Sequence, residues 1–187
     1  MCVKNAEDNI KDTLMSVISQ KYPHNFVSII IVDGYSEDNT ICIISDVLSG
    51  HDRDYKILYE REGLGKARQI ALDNSSGDYL IWVDSDIILN YDYLDELVNF
   101  MDNNPDYAIA SGRFTLWNSK NLISFLDSIL WVAGDYRKRL MSNTTPRRNC
   151  VAGSIYRIKA IIPAAKACKK ILGFPVIPVN LHALILL

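Results

Sequence analysis

The chain has 187 residues, 49% of them hydrophobic, and a formal net charge of −2. That is enough chain for one domain with a sizeable core, which argues against disorder, and the charge balance gives no reason to expect a nucleic-acid partner. Cys2, Cys42, Cys150 and Cys168 are scattered without a CxxC pair or metal-ligand spacing, so they read as reduced cytosolic cysteines. The opening "MCVKNAEDNI" has no hydrophobic region of the kind a signal peptide needs. Asn5 and Asp8 offer capping to a first helix whose apolar residues Ile10, Leu14, Val17 and Ile18 recur at i, i+4, i+7 and i+8. Pro23 in "KYPHN" ends it. The run "VSIIIVD" (27–33) is almost unbroken and β-branched, as a parallel strand covered on both faces requires. "GYSEDNT" is a turn in which Ser36 or Asp38 can cap a helix over about 38–49. "YKILYE" (55–60) is the next strand, and "GLGKARQIALDNSSG" is a glycine-rich loop running into a helix that stops before Gly77.

The strand "YLIWVD" (79–84) ends in acid, with Asp86 two residues beyond Asp84. Tyr91, Leu94, Leu97, Val98 and Met101 mark a further helix, stopped by "NNP". A strand over 107–114, an apolar-rich helix over 121–140 and a last strand over 150–158 complete the series. Helices alternating with short buried strands predict an α/β fold, a mostly parallel sheet flanked by helices. The tail "ILGFPVIPVNLHALILL" is apolar but broken by Pro175 and Pro178, which suits an amphiphilic or poorly packed end better than a membrane span.

Two strands end in acid, at Asp33 and Asp84, and in a parallel sheet both tips lie on the edge where ligands bind. In extended chain Asp84 and Asp86 point the same way, and two hard oxygen donors suit Mg2+ or Mn2+ shared with a substrate pyrophosphate. The plainer alternative is that the two acids stop the strand and cap the following helix.

Three segments, in order, resemble the family 2 glycosyltransferases of GT-A (Rossmann-like) fold: "VKNAEDNIKDTLMSVISQKYP", "SIIIVDGYSEDNT" and "EGLGKARQIALDNSSGDYLIWVDSD". The second is similar to the family's nucleotide-binding turn, commonly written VVDDGSTDGT, and "AGSIYRIKAI" is a weaker match to a later acceptor-side strand. The likeness covers about residues 3–160, so residues 1–160 are expected to form an incomplete, nucleotide-sugar-binding GT-A-like domain, with 161–187 a divergent tail. The resemblance implies metal-dependent, inverting transfer of a sugar from a nucleotide-diphosphate sugar to a sugar, lipid-phosphate or protein acceptor. It implies that Asp86 holds the metal, and that Asp84 binds the ribose or reaches the metal through water. It further implies that Asp33 accepts a hydrogen bond from the base, standing alone because Gly34 replaces the family's frequent second Asp. Lys66 and Arg68 match its basic nucleotide-contacting position, with solvated helix charges as their alternative, and Asn5 and Glu7 match its early donor loop, with helix capping as theirs. A cytoplasmic location, at or near the inner face of a membrane in peripheral contact with it, follows from the same likeness.

The chain departs from the pattern where an acceptor base is expected: after "YRIKAI", "IPAAKACKKILGFPVIPVNLHALILL" holds no Asp or Glu. Truncation, a frameshift or a divergent short member is the expectation there, with a non-catalytic nucleotide-diphosphate-binding remnant or partner domain as the alternative function. Asp127 and Asp135 read as exposed or paired, and His24, His51 and His182 as surface histidines. The cluster Arg137, Lys138, Arg139, Arg147 and Arg148 reads as a solvated helix end, with contact to an anionic surface as its alternative. A sugar nucleotidyltransferase would show a glycine-rich phosphate loop after its first strand, and "CVKNAED" has no glycine.

Overall fold

The computed structural model describes residues 1–112, 153–163 and 165. The expected helix over 121–140, with Asp127, Asp135 and the basic cluster after it, lies outside the described residues, as do Cys150, Cys168, His182 and most of the tail. In chain order the elements are β1 (Cys2–Val3), α1 (Ile10–Ile18), a 3-10 turn (His24–Phe26), β2 (Ser28–Asp33), α2 (Thr40–Ser49), β3 (Asp54–Tyr59) and α3 (Leu64–Asp73). Then come β4 (Tyr79–Ile81), α4 (Tyr93–Asn103), β5 (Ile109–Ser111) and β6 (Ser154–Arg157).

β2 shows why the apolar run is unbroken. Its side chains alternate between two faces. Ile29 and Ile31 pack with Ile10, Leu14, Ile44 and Leu48 of α1 and α2, while Ile30 and Val32 pack with Ala67, Ala71 and Trp82 on the α3 side. Each such fully buried side chain contributes about 1.5–3 kcal/mol. β2 pairs in parallel with β1 (Val3 opposite Asp33) and with β3 (Asp33 opposite Tyr59).

This parallel core sheet flanked by helices is the α/β arrangement expected from sequence, and a second sheet beside it is antiparallel. β6 lies between β4 and β5 and is antiparallel to both, with Leu80 and Ile109 opposite Tyr156. β4 and β5 therefore run the same way, joined through α4, and the last strand returns between them. Both its edges are paired, and Ser154, Ile155 and Tyr156 are buried. β4 is also shorter than expected. Its pairing ends at Trp82, whose N–H donates to the Ser154 carbonyl and whose carbonyl accepts from the Gly153 N–H. A helical segment over 158–163 follows β6. Ile161 and Ala165 are 1% and 4% exposed and pack with Ala67, Trp82 and Tyr156. Among the described residues, no helix is long and apolar enough to cross a membrane.

Helix α1 has a buried polar stripe. Thr13 and Ser16, three apart on one face, and Gln20, two residues beyond the helix, are buried and all point to the segment after β4. Thr13 Oγ1 donates to the Ser85 carbonyl (2.8 Å), and Ser16 Oγ accepts from the Leu89 N–H (3.1 Å). Gln20 Nε2 donates to the Ser16 and Asn90 carbonyls (2.8 and 2.7 Å), and its Oε1 accepts from the Leu94 N–H (3.0 Å). Asp92 at the start of α4 makes no side-chain cap, so Gln20, just beyond the end of α1, satisfies that first turn.

Candidate active site

The carboxyl ends of β1 and β2 and the segment after β4 meet on one rim. A cleft of about 340 Å3 opens there, lined by Lys4, Asn5, Leu64, Arg68, Asp84 and Asp86. A larger cavity of about 960 Å3 surrounds Met1 between Ser28–Ile30 and Tyr79–Trp82, toward the opposite end of β2 from Asp33. The smaller cleft is the candidate, because ligands of such sheets bind beyond the carboxyl ends of the strands.

The donor-loop residues do not cap α1. Asn9 is its N-cap residue, without a side-chain bond, and the Ala6 carbonyl accepts from the Asn9 and Ile10 N–H groups. Asn5 and Glu7 instead clasp the 4–9 loop to the turn after β2. Asn5 donates its N–H to Ser36 Oγ and accepts from the Glu37 N–H through Oδ1, each at 2.9 Å. Glu7 Oε2 accepts from both the backbone and side-chain nitrogens of Asn39, each at 2.9 Å. Thr40 Oγ1, fully buried, accepts from the Ala6 N–H (2.7 Å) and donates to Asp38. Asp38 also accepts from the Thr40 N–H (3.0 Å), but the N-cap residue of α2 is Asn39, which makes no side-chain cap, so neither Asp38 nor Ser36 occupies the expected cap position, and Ser36 serves the clasp. The Thr40 hydroxyl holds the Asp38 carboxyl below its ordinary range. Asn5 has φ 47° and Tyr35 φ 57°, so the loop and the turn each pass through a left-handed residue.

Asp33 sits at the tip of β2 and is 1% exposed. Its Oδ2 accepts from the Ser36 N–H (3.0 Å) and its Oδ1 from the Ser36 hydroxyl (2.6 Å), so its carboxylate anchors the turn. The two basic residues are separated. Arg68 lines the cleft with its side chain 12% exposed, 3.8 Å from Asp84 and over the Trp82 ring at 5.8 Å, whereas Lys66 lies 4.0 Å from Glu62 one turn back along α3. At 3.8 Å the Arg68–Asp84 contact is an ion pair and not a hydrogen bond.

Asp84 and Asp86 are not in extended chain. The Ile87 N–H donates to the Asp84 carbonyl (3.2 Å), closing a turn over 84–87, so the period-two argument for their shared direction does not apply. The turn nonetheless brings both into the cleft, with Ser85 tethered to Thr13. Two carboxylates beside an open cleft are a donor set that fits Mg2+ or Mn2+, which keep waters and share ligands with phosphates. Among the described residues, no cluster of three or more His, Cys, Asp or Glu side chains forms a closed metal cage. Cys2 is half-buried between the core and the cleft, and burial pushes its thiol above the ordinary value. Lys4 was not legible as a site residue. Its position beside "NAED" was its one signal.

A family model described as glycosyl transferase family 2 matches residues 1–162. The chain is 25% identical over 162 residues to the poly-beta-1,6-N-acetyl-D-glucosamine synthase of Staphylococcus epidermidis, covering 87% of this chain and 37% of that one. It is 32% identical over 106 residues to an uncharacterized glycosyltransferase of Haemophilus influenzae, covering 56% and 41%. The chain thus spans well under half the length of these relatives. Among solved structures, S. aureus TarS 1–349 in complex with UDP aligns with TM-score 0.63 at 19% identity, covering 87% of this chain and 47% of that one. The mannosyltransferase PcManGT of Pyrobaculum calidifontis, in complex with GDP-Man and Mn2+, aligns with TM-score 0.56 at 22% identity, covering 67% and 36%. These likenesses carry the GT-A fold. With its model matched along most of the sequence, the chain belongs to glycosyl transferase family 2.

Proposed function

We propose that this domain binds a nucleoside-diphosphate sugar with a divalent cation in the Asp84–Asp86 cleft and transfers the sugar, with inversion, to an acceptor hydroxyl or phosphate. The observation that carries this reading is the convergence of Asp84, Asp86 and Arg68 at the strand ends of a family 2 chain. Departure of the sugar leaves negative charge on the diphosphate. Arg68, presented from α3 and partly desolvated against Trp82, is placed to meet that charge. Asp86 and Asp84 would hold Mg2+ or Mn2+, which supplies Lewis-acid stabilisation of the leaving diphosphate when bound. Asn5 sits at the cleft wall, and Glu7 and Asp33 keep the loop and turn in register with it. Lys66, paired with Glu62, does not line the cleft, so the diphosphate contact falls to Arg68. The resemblance to proteins solved with UDP, UDP-GlcNAc and GDP-Man supports a nucleotide donor of this class. The likeness to a poly-beta-1,6-N-acetyl-D-glucosamine synthase supports a sugar acceptor, and work beside a membrane on its cytoplasmic side belongs to the same reading.

Titration calorimetry with UDP and GDP, first with Mn2+ and then with EDTA, tests the proposal. Binding should tighten with Mn2+, and Asp86→Asn should abolish that gain with little loss of stability, since a turn carboxylate is not a core group. Metal-independent binding, or an unchanged Mn2+ effect in Asp86→Asn, overturns the site assignment.

A further inference from the structure

The buried carboxylate of Asp33 leaves open which groups meet the base, and the rim beside it holds an aromatic cluster. Tyr35 is 44% exposed and Tyr59 50% exposed, with ring centroids 5.6 Å apart and planes tilted by 49°. The Arg61 guanidinium lies 4.0 Å from the Tyr35 centroid. Two exposed tyrosines and an exposed arginine thus form a short stack at the carboxyl ends of β2 and β3.

Tyr35 also carries a conformational cost. Its φ of 57° is left-handed, a region that disfavours a bulky side chain, and the motif commonly written VVDDGSTDGT has glycine at this position. A residue held there against its preference points to a use for the side chain. The cluster lies outside the cleft lining, but both chain neighbours of Tyr35 touch residues that line it. Gly34 packs so closely on Lys4 that an added Cβ would sit 3.1 Å from its Cδ, and Ser36 accepts from the Asn5 N–H. On the β3 side, Leu64, three residues beyond Arg61, lines the cleft and is 53% exposed.

We infer that Tyr35, with Arg61 above it, is the stacking platform for the nucleobase of the donor. The inference rests on the reading of the Asp84–Asp86 cleft as a nucleoside-diphosphate site. A planar base enters over the Tyr35 ring as the guanidinium lifts, and the planar cation then covers the base from its other face. Tyr59 holds the Tyr35 ring by its tilted contact. Stacking of this kind accepts any base, because every base has a π-face, so the platform supplies affinity for the nucleoside and not choice between uracil and guanine.

The test compares wild type, Tyr35→Gly, Tyr35→Phe and Arg61→Ala by calorimetry with UDP, GDP and inorganic pyrophosphate, each with Mn2+, alongside thermal midpoints. Tyr35→Gly relieves the left-handed backbone and should keep or raise the midpoint. It should bind UDP and GDP about tenfold more weakly and pyrophosphate as wild type does. Tyr35→Phe should bind all three like wild type. Arg61→Ala, at an exposed position, should weaken UDP and GDP alone. Nucleotide binding unchanged in both Tyr35→Gly and Arg61→Ala overturns the platform, and so does an equal loss for pyrophosphate. Wild type that binds UDP through Tyr35 but no pyrophosphate would sustain the platform and sink the metal-site reading. Wild type that binds none of the three sinks both.

Discussion

Replacing Gln20 by Met should loosen the acidic turn from a distance. Gln20 is 3% exposed and makes three hydrogen bonds: to the Ser16 carbonyl, to the Asn90 carbonyl and from the Leu94 N–H. Met keeps the length and apolar character of the side chain, so the packing term is small. Each lost bond costs about 0.5–1.5 kcal/mol net, and leaving the Leu94 N–H buried without a partner puts its share at the upper end. The sum is about 3 kcal/mol, a large part of the ~5–15 kcal/mol that holds a domain folded. Urea unfolding followed by circular dichroism reads this directly. With a slope of about 1–3 kcal/mol per molar urea, the midpoint should fall by about 1–3 M. The functional arm is Mn2+-dependent UDP affinity, which should weaken as well, because the Asn90–Leu94 tether and the Thr13–Ser85 tether hold the same segment. A loss below about 1 kcal/mol would refute the assignment of Gln20 as the group that satisfies the first turn of α4, since even one buried bond is worth that much.

Arg68→Gln should move two affinities in opposite directions: Mn2+ alone binds more tightly because the cation no longer competes with Arg68 for Asp84, and UDP with EDTA binds more weakly, by about 5–10-fold for a lost charge-assisted contact. Electron paramagnetic resonance of free Mn2+ reads the first and calorimetry the second; Mn2+ binding that falls in the variant refutes the competition. Cys2 should alkylate more slowly with iodoacetamide at pH 8 than the exposed Cys42, because burial raises its thiol above the ordinary 9.0, and peptide mass mapping gives the two rates. The sign for stability follows from the same shift: below pH 9 both states keep the proton, whereas above it the unfolded chain loses it first, so stability declines as pH rises, and Cys2→Ala should remove that part of the decline.

Much of the fold was legible because its signals are local. Ile10, Leu14 and Ile18 at helical spacing mark α1, the β-branched run marks β2, and Asp38 two residues before the Thr40 N–H it accepts marks the start of α2. The acid at the end of β4 and the glycine-rich loop before α3 located the cleft to within a few residues. Asp84 and Asp86 reach it by a turn closed at Ile87, which no alternation rule describes.

What the sequence determined by itself, among the described residues, is the order and type of the helices α1 to α4 and the strands β2 to β6, since each of these is set by neighbours a few positions away; β1, two residues long, carries no such local signal. Only the tertiary structure decided that β6 returns between β4 and β5, that Arg68 faces Asp84 while Lys66 turns outward, and that Asn5 and Glu7 clasp the β2 turn instead of capping α1. It also decided that Gln20 reaches 74 positions along the chain to satisfy Leu94. Such contacts join residues far apart in sequence. A buried polar group takes whichever partner the packed core brings within about 3 Å, and that choice is made by the whole fold at once.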